Sequence, residues 1–143
     1  MAIDRRHVGY ALPSFTVTVD RGRLAAFAQA IGEPDAQFAE HVAPLTFMKV
    51  LEGENGSSRA ILTALGVPLT RVLHAEQAFH YMGPILAGDA VTVTRRVADV
   101  YEKKGGAVEF IVIESVFTNA SGELLGRSQQ VVAVRGATTE VRE

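Results

Sequence analysis

The amino-acid sequence predicts an α+β fold in which a curled antiparallel sheet wraps around one apolar helix. The first observation is the order of the patterns, because helical spacing dominates residues 21–66 and period-two alternation dominates residues 71–135. The second is a helical segment at 44–53 that is apolar on nearly every side, which is typical of a buried helix. The third is that short turns join the alternating segments, which favours antiparallel neighbours.

The first half of the chain is expected to form a strand and then three helices. Residues 14–20 alternate and are rich in β-branched side chains, which predicts a short strand. Asp20 is a suitable N-cap for the helix that follows, and Gly32 is a suitable residue to end it. The three helical segments are 21–32, 44–53 and 58–68.

The second half is expected to form an antiparallel meander. Its four predicted strands are 71–82, 89–103, 107–119 and 124–135. The "KKGG" turn between the second and third of these is a strong hairpin signal. Strand 107–119 is apolar on both faces, so we expect a helix to cover one face and another layer or a partner subunit to cover the other.

Composition and charge narrow the class of protein. The 143 residues are 48% hydrophobic and 21% charged, as in a globular domain long enough to bury a core, and one domain is expected over 1–143 with flexible ends at about 1–12 and 136–143. Cysteine is absent, which excludes disulfides and cysteine nucleophiles. The net charge of -2 without a basic run excludes nucleic acid and anionic membranes as favoured partners. No signal or membrane-spanning segment is recognised, so a cytoplasmic protein is expected.

Four segments resemble the MaoC-like acyl dehydratases, a branch of the hotdog fold. They are "VAPLTFMKVLEG" (42–53), "LHAEQAFHYMGPILAGDAVTV" (73–93), "VADVYEKKGGAVEFIVIESVFTN" (97–119) and "GELLGRSQQVVAV" (122–134). The resemblance is to the N-terminal-type dehydratase domain, which includes substrate-binding subunits of 3-hydroxyacyl-carrier-protein dehydratases. It implies hydro-lyase chemistry on a (3R)-hydroxyacyl or 2-enoyl thioester of coenzyme A or acyl carrier protein, without a cofactor. It also implies a homodimer, or a heterodimer with a catalytic hotdog subunit.

Such chemistry needs a base at C2, an acid at the leaving hydroxyl and donors for the thioester carbonyl. Backbone N–H groups at the start of the buried helix are suited to polarise that carbonyl, and the space between helix and sheet is suited to an acyl chain. The residues expected to bind substrate come from the start of this helix and from the strand 71–82. They are Pro44, Leu45, Thr46 and Phe47 of the helix and His80 and Tyr81 of the strand.

The loop before the buried helix departs from the catalytic motif of the resembling family. Catalytic hydratases of that family carry G-D-x-N-P-x-H, in which the Asp and the His share one water. Counted from Gly32, Glu33 occupies the Asp position, Asp35 the Asn position and Phe38 the His position. Three interpretations stay open: the loop is degenerate and a partner subunit supplies catalysis, Asp35 or Glu33 acts with His41, or the loop carboxylates are solvated.

A second polar cluster lies on the strand 71–82. Strict alternation places His74, Glu76 and His80 on one face of this strand. His74 and Glu76 are therefore candidates for an acid/base pair, and the alternative is that they are hydrogen-bonded residues of a dimer interface. Two or three ligands on one strand are a weak metal set, so no metal site is expected.

Two rival functions follow from the same residues. A hotdog acyl-thioester hydrolase would use a carboxylate near the buried helix, such as Glu52 or Glu54, to direct water at the carbonyl. A non-enzymatic subunit would only bind the acyl thioester. The basic residues Arg95, Lys103 and Lys104 are expected to be solvated, with contact to a phosphate of the carrier as the alternative.

Overall fold

The structure is a computed structural model that describes residues 3–35 and 41–135. Within these residues an antiparallel sheet has the strand order β1-β3-β4-β5-β2. The strands are β1 (Phe15–Thr18), β2 (Val72–Tyr81), β3 (Ala90–Lys103), β4 (Val108–Thr118) and β5 (Leu124–Arg135). The α-helices are α1 (Arg21–Ile31), α2 (Phe47–Glu52) and α3 (Ser57–Ala64). The element order and the α+β class agree with the sequence prediction. The expected meander of four strands is wrong for β2, which pairs with β5 at the sheet edge and not with β3, so β3, β4 and β5 alone form a meander.

Helix α1 begins and ends where the sequence predicts. The side chain of Asp20 accepts a hydrogen bond from the backbone N–H of Arg23 at 2.9 Å, which satisfies one of the N–H groups at the helix start. Gly32 follows the last turn with φ 77°, a left-handed conformation that glycine adopts without a Cβ penalty. Leu24 and Ala28 are the buried residues of this helix, so α1 packs against the core along one narrow stripe.

Helix α2 is buried as predicted, but it is shorter than the expected segment 44–53. The helix begins at Phe47, because the preceding residues form a turn in which the Phe47 N–H donates to the Pro44 carbonyl at 2.9 Å. The side chains of Phe47, Met48, Leu51 and Glu52 are fully buried. The core around this helix therefore contains one carboxylate among apolar groups.

The sheet presents one face to α2 and α3 and the other face away from them. On β4 the inner side chains are Ile111, Ile113 and Phe117, all fully buried in the two hydrophobic clusters of the core. The outer face of the same strand is also apolar, as predicted, and there Phe110 stacks on Tyr101 with ring centroids 5.0 Å apart.

The N-terminal segment lies against the sheet. Ile3 is buried and its N–H donates to the Glu109 carboxylate at 3.1 Å, while Ala11 forms an antiparallel bridge with Arg96. Residues 3–12, which were expected to be flexible, are thus hydrogen-bonded to the main body, and residues 1–2 and 136–143 lie outside the described residues. No helix in the described ranges is long and apolar enough to cross a bilayer.

Candidate functional site

A cavity of about 480 Å³ opens where the chain enters α2. Its described walls come from the end of α1 and from the segment before α2, and they are Ile31, Glu33, Val42, Ala43, Pro44, Leu45 and Thr46. We call it the helix-start cavity. It brings together four predicted site residues, and Glu33 is the one ionisable side chain among these described walls. The volume lies within the range of ~300–1,000 Å³ that is usual for small-molecule sites.

Backbone hydrogen bonds hold the segment before α2 in place. Val42 forms an antiparallel bridge with Leu86, the Ala43 N–H donates to Ile85 at 2.8 Å, and the His41 carbonyl accepts from Ala87 at 2.9 Å. The His41 side chain is exposed. Among the described residues no hydrogen bond or ion pair joins His41 to Glu33, so the structure holds these two side chains in no acid/base pair.

Tyr81 ties β2 to the wall of the helix-start cavity. Its hydroxyl donates to the Leu45 carbonyl at 2.6 Å. Burial raises the pKa of Tyr81 to about 12, and a hydrogen bond from the Met48 backbone, which favours the phenolate, offsets this in part. Tyr81 thereby fixes the backbone at Leu45, whose side chain is 67% exposed at the rim.

Phe47 belongs to the core. It is fully buried, and its ring meets that of Phe27 edge-on with centroids 5.4 Å apart. It does not belong to the described walls of the helix-start cavity. Its contribution is to anchor the start of α2, because the buried ring packs among core side chains.

The prediction that His74 and Glu76 share a face of β2 is wrong, because a β-bulge lies between them. His74 is paired with Val132 of β5 and Glu76 with the adjacent Val131, so one residue of β2 is extra. The alternation is offset by one position, and His74 Nε2 lies 2.8 Å from Oε1 of Gln77 on the inner face. Glu76 projects to the outer face and does not orient His74.

His80 also projects to the outer face. Its neighbours on β2, Phe79 and Tyr81, pack on the inner face, and side chains alternate along this part of the strand. His80 is exposed and lines a shallow cavity of about 200 Å³ with Glu114 and Arg127. The sheet therefore separates His80 from the helix-start cavity, and the predicted pairing of His80 with the other substrate-binding residues is not formed.

Arg95 is fully buried, so the expectation of a solvated side chain is wrong. Its Nε donates to Ser115 at 3.0 Å and its Nη2 to Oε1 of Gln130 at 2.8 Å, while Nη1 donates to Ser57 at 2.9 Å and to Ser58 at 2.8 Å. Burial lowers the pKa of Arg95, and the nearby Glu52 carboxylate opposes that shift.

The sequence held a signal for the burial of Arg95. In "AVTVTRRV" this arginine falls in the same alternating positions as Val91, Val93 and Val97, which are all buried. Arg96 falls in the other positions and is exposed, with its guanidinium 2.9 Å from the Glu114 carboxylate. Period-two reading of β3 would have separated the two arginines.

Glu52 is the buried counterion of this network. One carboxylate oxygen accepts a hydrogen bond from Ser128, and the other accepts from Nε2 of Gln77 at 3.2 Å. The second oxygen also lies 3.5 Å from Nζ of Lys49 and 4.0 Å from Nη2 of Arg95. Both oxygens are thus occupied by protein donors, which leaves Glu52 poorly suited to direct a water at a thioester.

Glu54, the other candidate for thioester hydrolysis, forms a surface ion pair. Its carboxylate lies 2.9 Å from Nη2 of Arg23 on α1. It does not belong to the described walls of the helix-start cavity. The described geometry of Glu52 and Glu54 therefore offers the hydrolase interpretation no available carboxylate.

The sheet curled around α2 is the hotdog fold of MaoC-like dehydratases. The chain superposes on the C-terminally truncated HadBC (3R-hydroxyacyl-ACP dehydratase) complex from Mycobacterium tuberculosis with a TM-score of 0.72 and 22% identity, over 93% of this chain and 99% of that one. A MaoC-like dehydratase gives a TM-score of 0.73 and 21% identity over 92% of this chain and 43% of that one. The ChsH1–ChsH2 complex from Mycobacterium tuberculosis gives a TM-score of 0.65 and 18% identity over 88% of this chain and 84% of that one.

Sequence comparison supplies the family. Residues 6–127 match the family described as "FAS1-like, dehydratase domain region". A UPF0336 protein from Thermobifida fusca is 31% identical over 95% of this chain and 96% of its own length. The chain belongs to this FAS1-like dehydratase family, as the MaoC-like resemblance of its sequence indicated.

Proposed function

We propose that this chain is an acyl-thioester-binding subunit of a (3R)-hydroxyacyl dehydratase or 2-enoyl hydratase, and that a second hotdog subunit supplies the acid/base pair. The helix-start cavity carries this proposal. Its described walls are apolar except for Glu33 and Thr46, so it suits an acyl chain. Dehydration needs both an acid and a base, and the described walls offer one ionisable group.

The edge of β2 supports a partner subunit. β2 is the last strand in the sheet order, so within the described residues its outer edge has no strand partner. Near its ends Leu73 and Met82 are 61% and 66% exposed. An exposed edge of ten residues with apolar flanks is suited to pair with a strand of another subunit. Two of the structural neighbours, HadBC and ChsH1–ChsH2, are themselves complexes.

The test is a binding and turnover experiment with 2-dodecenoyl-coenzyme A. We expect the purified chain to bind this thioester in calorimetry and to hydrate it no faster than buffer. Leu45→Glu places a charge on the rim of the helix-start cavity, and burying a charge beside apolar groups is costly, so affinity should fall about tenfold or more. Leu69→Glu is the matched control, because Leu69 is also exposed, at 47%, and lies outside the described walls of that cavity.

Three outcomes would contradict the proposal. Equal affinities of wild type, Leu45→Glu and Leu69→Glu would remove the helix-start cavity as the acyl site. Hydration by the purified chain that is lost in Asp35→Asn or His41→Ala would show that the loop itself catalyses, as in the second interpretation of the sequence. The release of thiol instead of hydration would establish the hydrolase.

A further inference from the structure

A second cavity, of about 320 Å³, lies between α2, α3 and the inner face of the sheet. We call it the inter-helix cavity. It shares no described lining residue with the helix-start cavity. Most of its wall is hydrocarbon, contributed by Leu62, Val72, Ile113 and Val132. Such a wall favours the apolar body of a ligand.

Three polar groups on this cavity present hydrogen-bond donors. Oε1 of Gln130 and Oγ of Ser58 both accept hydrogen bonds from Arg95, which leaves the amide NH2 and the hydroxyl proton to point elsewhere. Gln130 is 7% exposed, and within the described residues its NH2 group has no hydrogen-bond partner. The ammonium of Lys49 is a third donor on the same lining. A buried NH2 group without an acceptor is costly, so the cavity favours a ligand that brings one.

The charges around the cavity favour an anion. Arg95 and Lys49 carry two positive charges, and Glu52 carries the one negative charge in contact with them. The Lys49 ammonium lies 3.5 Å from one Glu52 oxygen, but the Glu52 oxygens already accept hydrogen bonds from Ser128 and Gln77, and in the described part of the chain neither the Ser58 hydroxyl nor the Gln130 NH2 group donates to them. In a partly buried site one excess positive charge attracts an anion more strongly than it would in water.

We propose that the inter-helix cavity binds an apolar monocarboxylate, with its carboxylate on Lys49, Ser58 and Gln130 and its hydrocarbon body on the apolar wall. This site goes beyond the proposed function and does not rest on it. His74 lies at the rim, held by Gln77, whose amide must donate to Glu52 and therefore presents its oxygen to the imidazole. These two hydrogen bonds fix the orientation of His74 and Gln77 at the rim of the inter-helix cavity.

The test compares octanoate with octanamide, which has the same chain and no charge. Calorimetry should give wild-type protein an affinity for octanoate about tenfold or more above that for octanamide, since a charged carboxylate accepts stronger hydrogen bonds than a neutral amide. Lys49→Met should remove most of that preference, because it lowers the affinity for the charged octanoate more than the affinity for the neutral octanamide. The variant is expected to fold, because Glu52 keeps Ser128, Gln77 and Arg95 as partners. Lys103→Met, on the exposed hairpin, is the matched control.

Methyl NMR on the wild-type protein locates the ligand independently of any variant. Octanoate should shift the methyl signals of Leu62, Ile113 and Val132 and leave Val42 of the helix-start cavity unmoved. The absence of binding, equal binding of the two ligands, or shifts at Val42 instead would each overturn the proposal. The dodecenoyl-coenzyme A experiment depends on Leu45, which does not line this cavity, so either proposal can fail without the other.

Discussion

Replacing Arg95 by methionine should be among the most destabilising substitutions in this protein. The guanidinium is fully buried and donates to the side chains of Ser57, Ser58, Ser115 and Gln130. Methionine fills much of the same volume but donates no hydrogen bonds. The variant would therefore leave several buried acceptors unsatisfied and the Glu52 carboxylate without its buried cation.

The expected cost follows from these contacts. Removing one partner of a buried ion pair costs about 3–5 kcal/mol, which is a large part of the ~5–15 kcal/mol that stabilises a typical domain. With a urea dependence of about 2 kcal/mol/M, the unfolding midpoint should fall by about 2 M. The measurement is urea unfolding followed by circular dichroism.

Arg96→Met provides the matched control, since Arg96 is the next residue of β3 on the opposite face. Its ion pair with Glu114 is partly exposed, and such pairs contribute about 0–1 kcal/mol. The double variant Arg95→Met/Glu52→Gln should lose less free energy of unfolding than the two single variants lose in sum. The reason is that Glu52→Gln removes the buried carboxylate that Arg95→Met leaves without its cation. If Arg95→Met and Arg96→Met had equal unfolding midpoints, the buried network would not stabilise the fold as argued.

Two further predictions concern the contacts between β2, β5 and α2. Gly126→Ala should lower the free energy of unfolding by about 1–3 kcal/mol in urea unfolding, because a Cβ there would lie 2.9 Å from Cε of Met48 and closer still to the His80 carbonyl. Gly83→Ala, with open space around the added carbon, should change it by less than about 0.5 kcal/mol, and equal losses in the two variants would contradict the close approach. Tyr81 should make the folded state less stable as pH rises from 10 to about 12, because its phenol ionises first in the unfolded chain, where its pKa is near 10. Stability measured across that range should fall less in Tyr81→Phe than in wild type, and parallel curves would refute the raised pKa.

The position of the candidate site could be read from the sequence better than its chemistry. The resemblance to MaoC-like dehydratases implies a site where the loop at Glu33 meets the start of the apolar segment before Glu52, and the helix-start cavity has walls from both. The predicted alternation of side chains along β2 is wrong at the bulge between His74 and Glu76. A bulge depends on how two strands pair, so neither strand carries a signal for it in its own sequence. His74 consequently lies beside Gln77 at the rim of the inter-helix cavity, although strict alternation predicts that it lies beside Glu76.

The sequence by itself determined the local elements of this protein. Asp20 marks the start of α1 and Gly32 marks its end, and the "KKGG" turn joins β3 to β4. The alternating apolar residues determine which faces of the strands are buried. All of these features depend on neighbours along the chain. Only the tertiary structure decided that Glu52 and Arg95 meet in the core and form hydrogen bonds with serine and glutamine side chains. The physical reason is that a buried charge is tolerated where distant parts of the chain supply its partners, and that supply is set by packing.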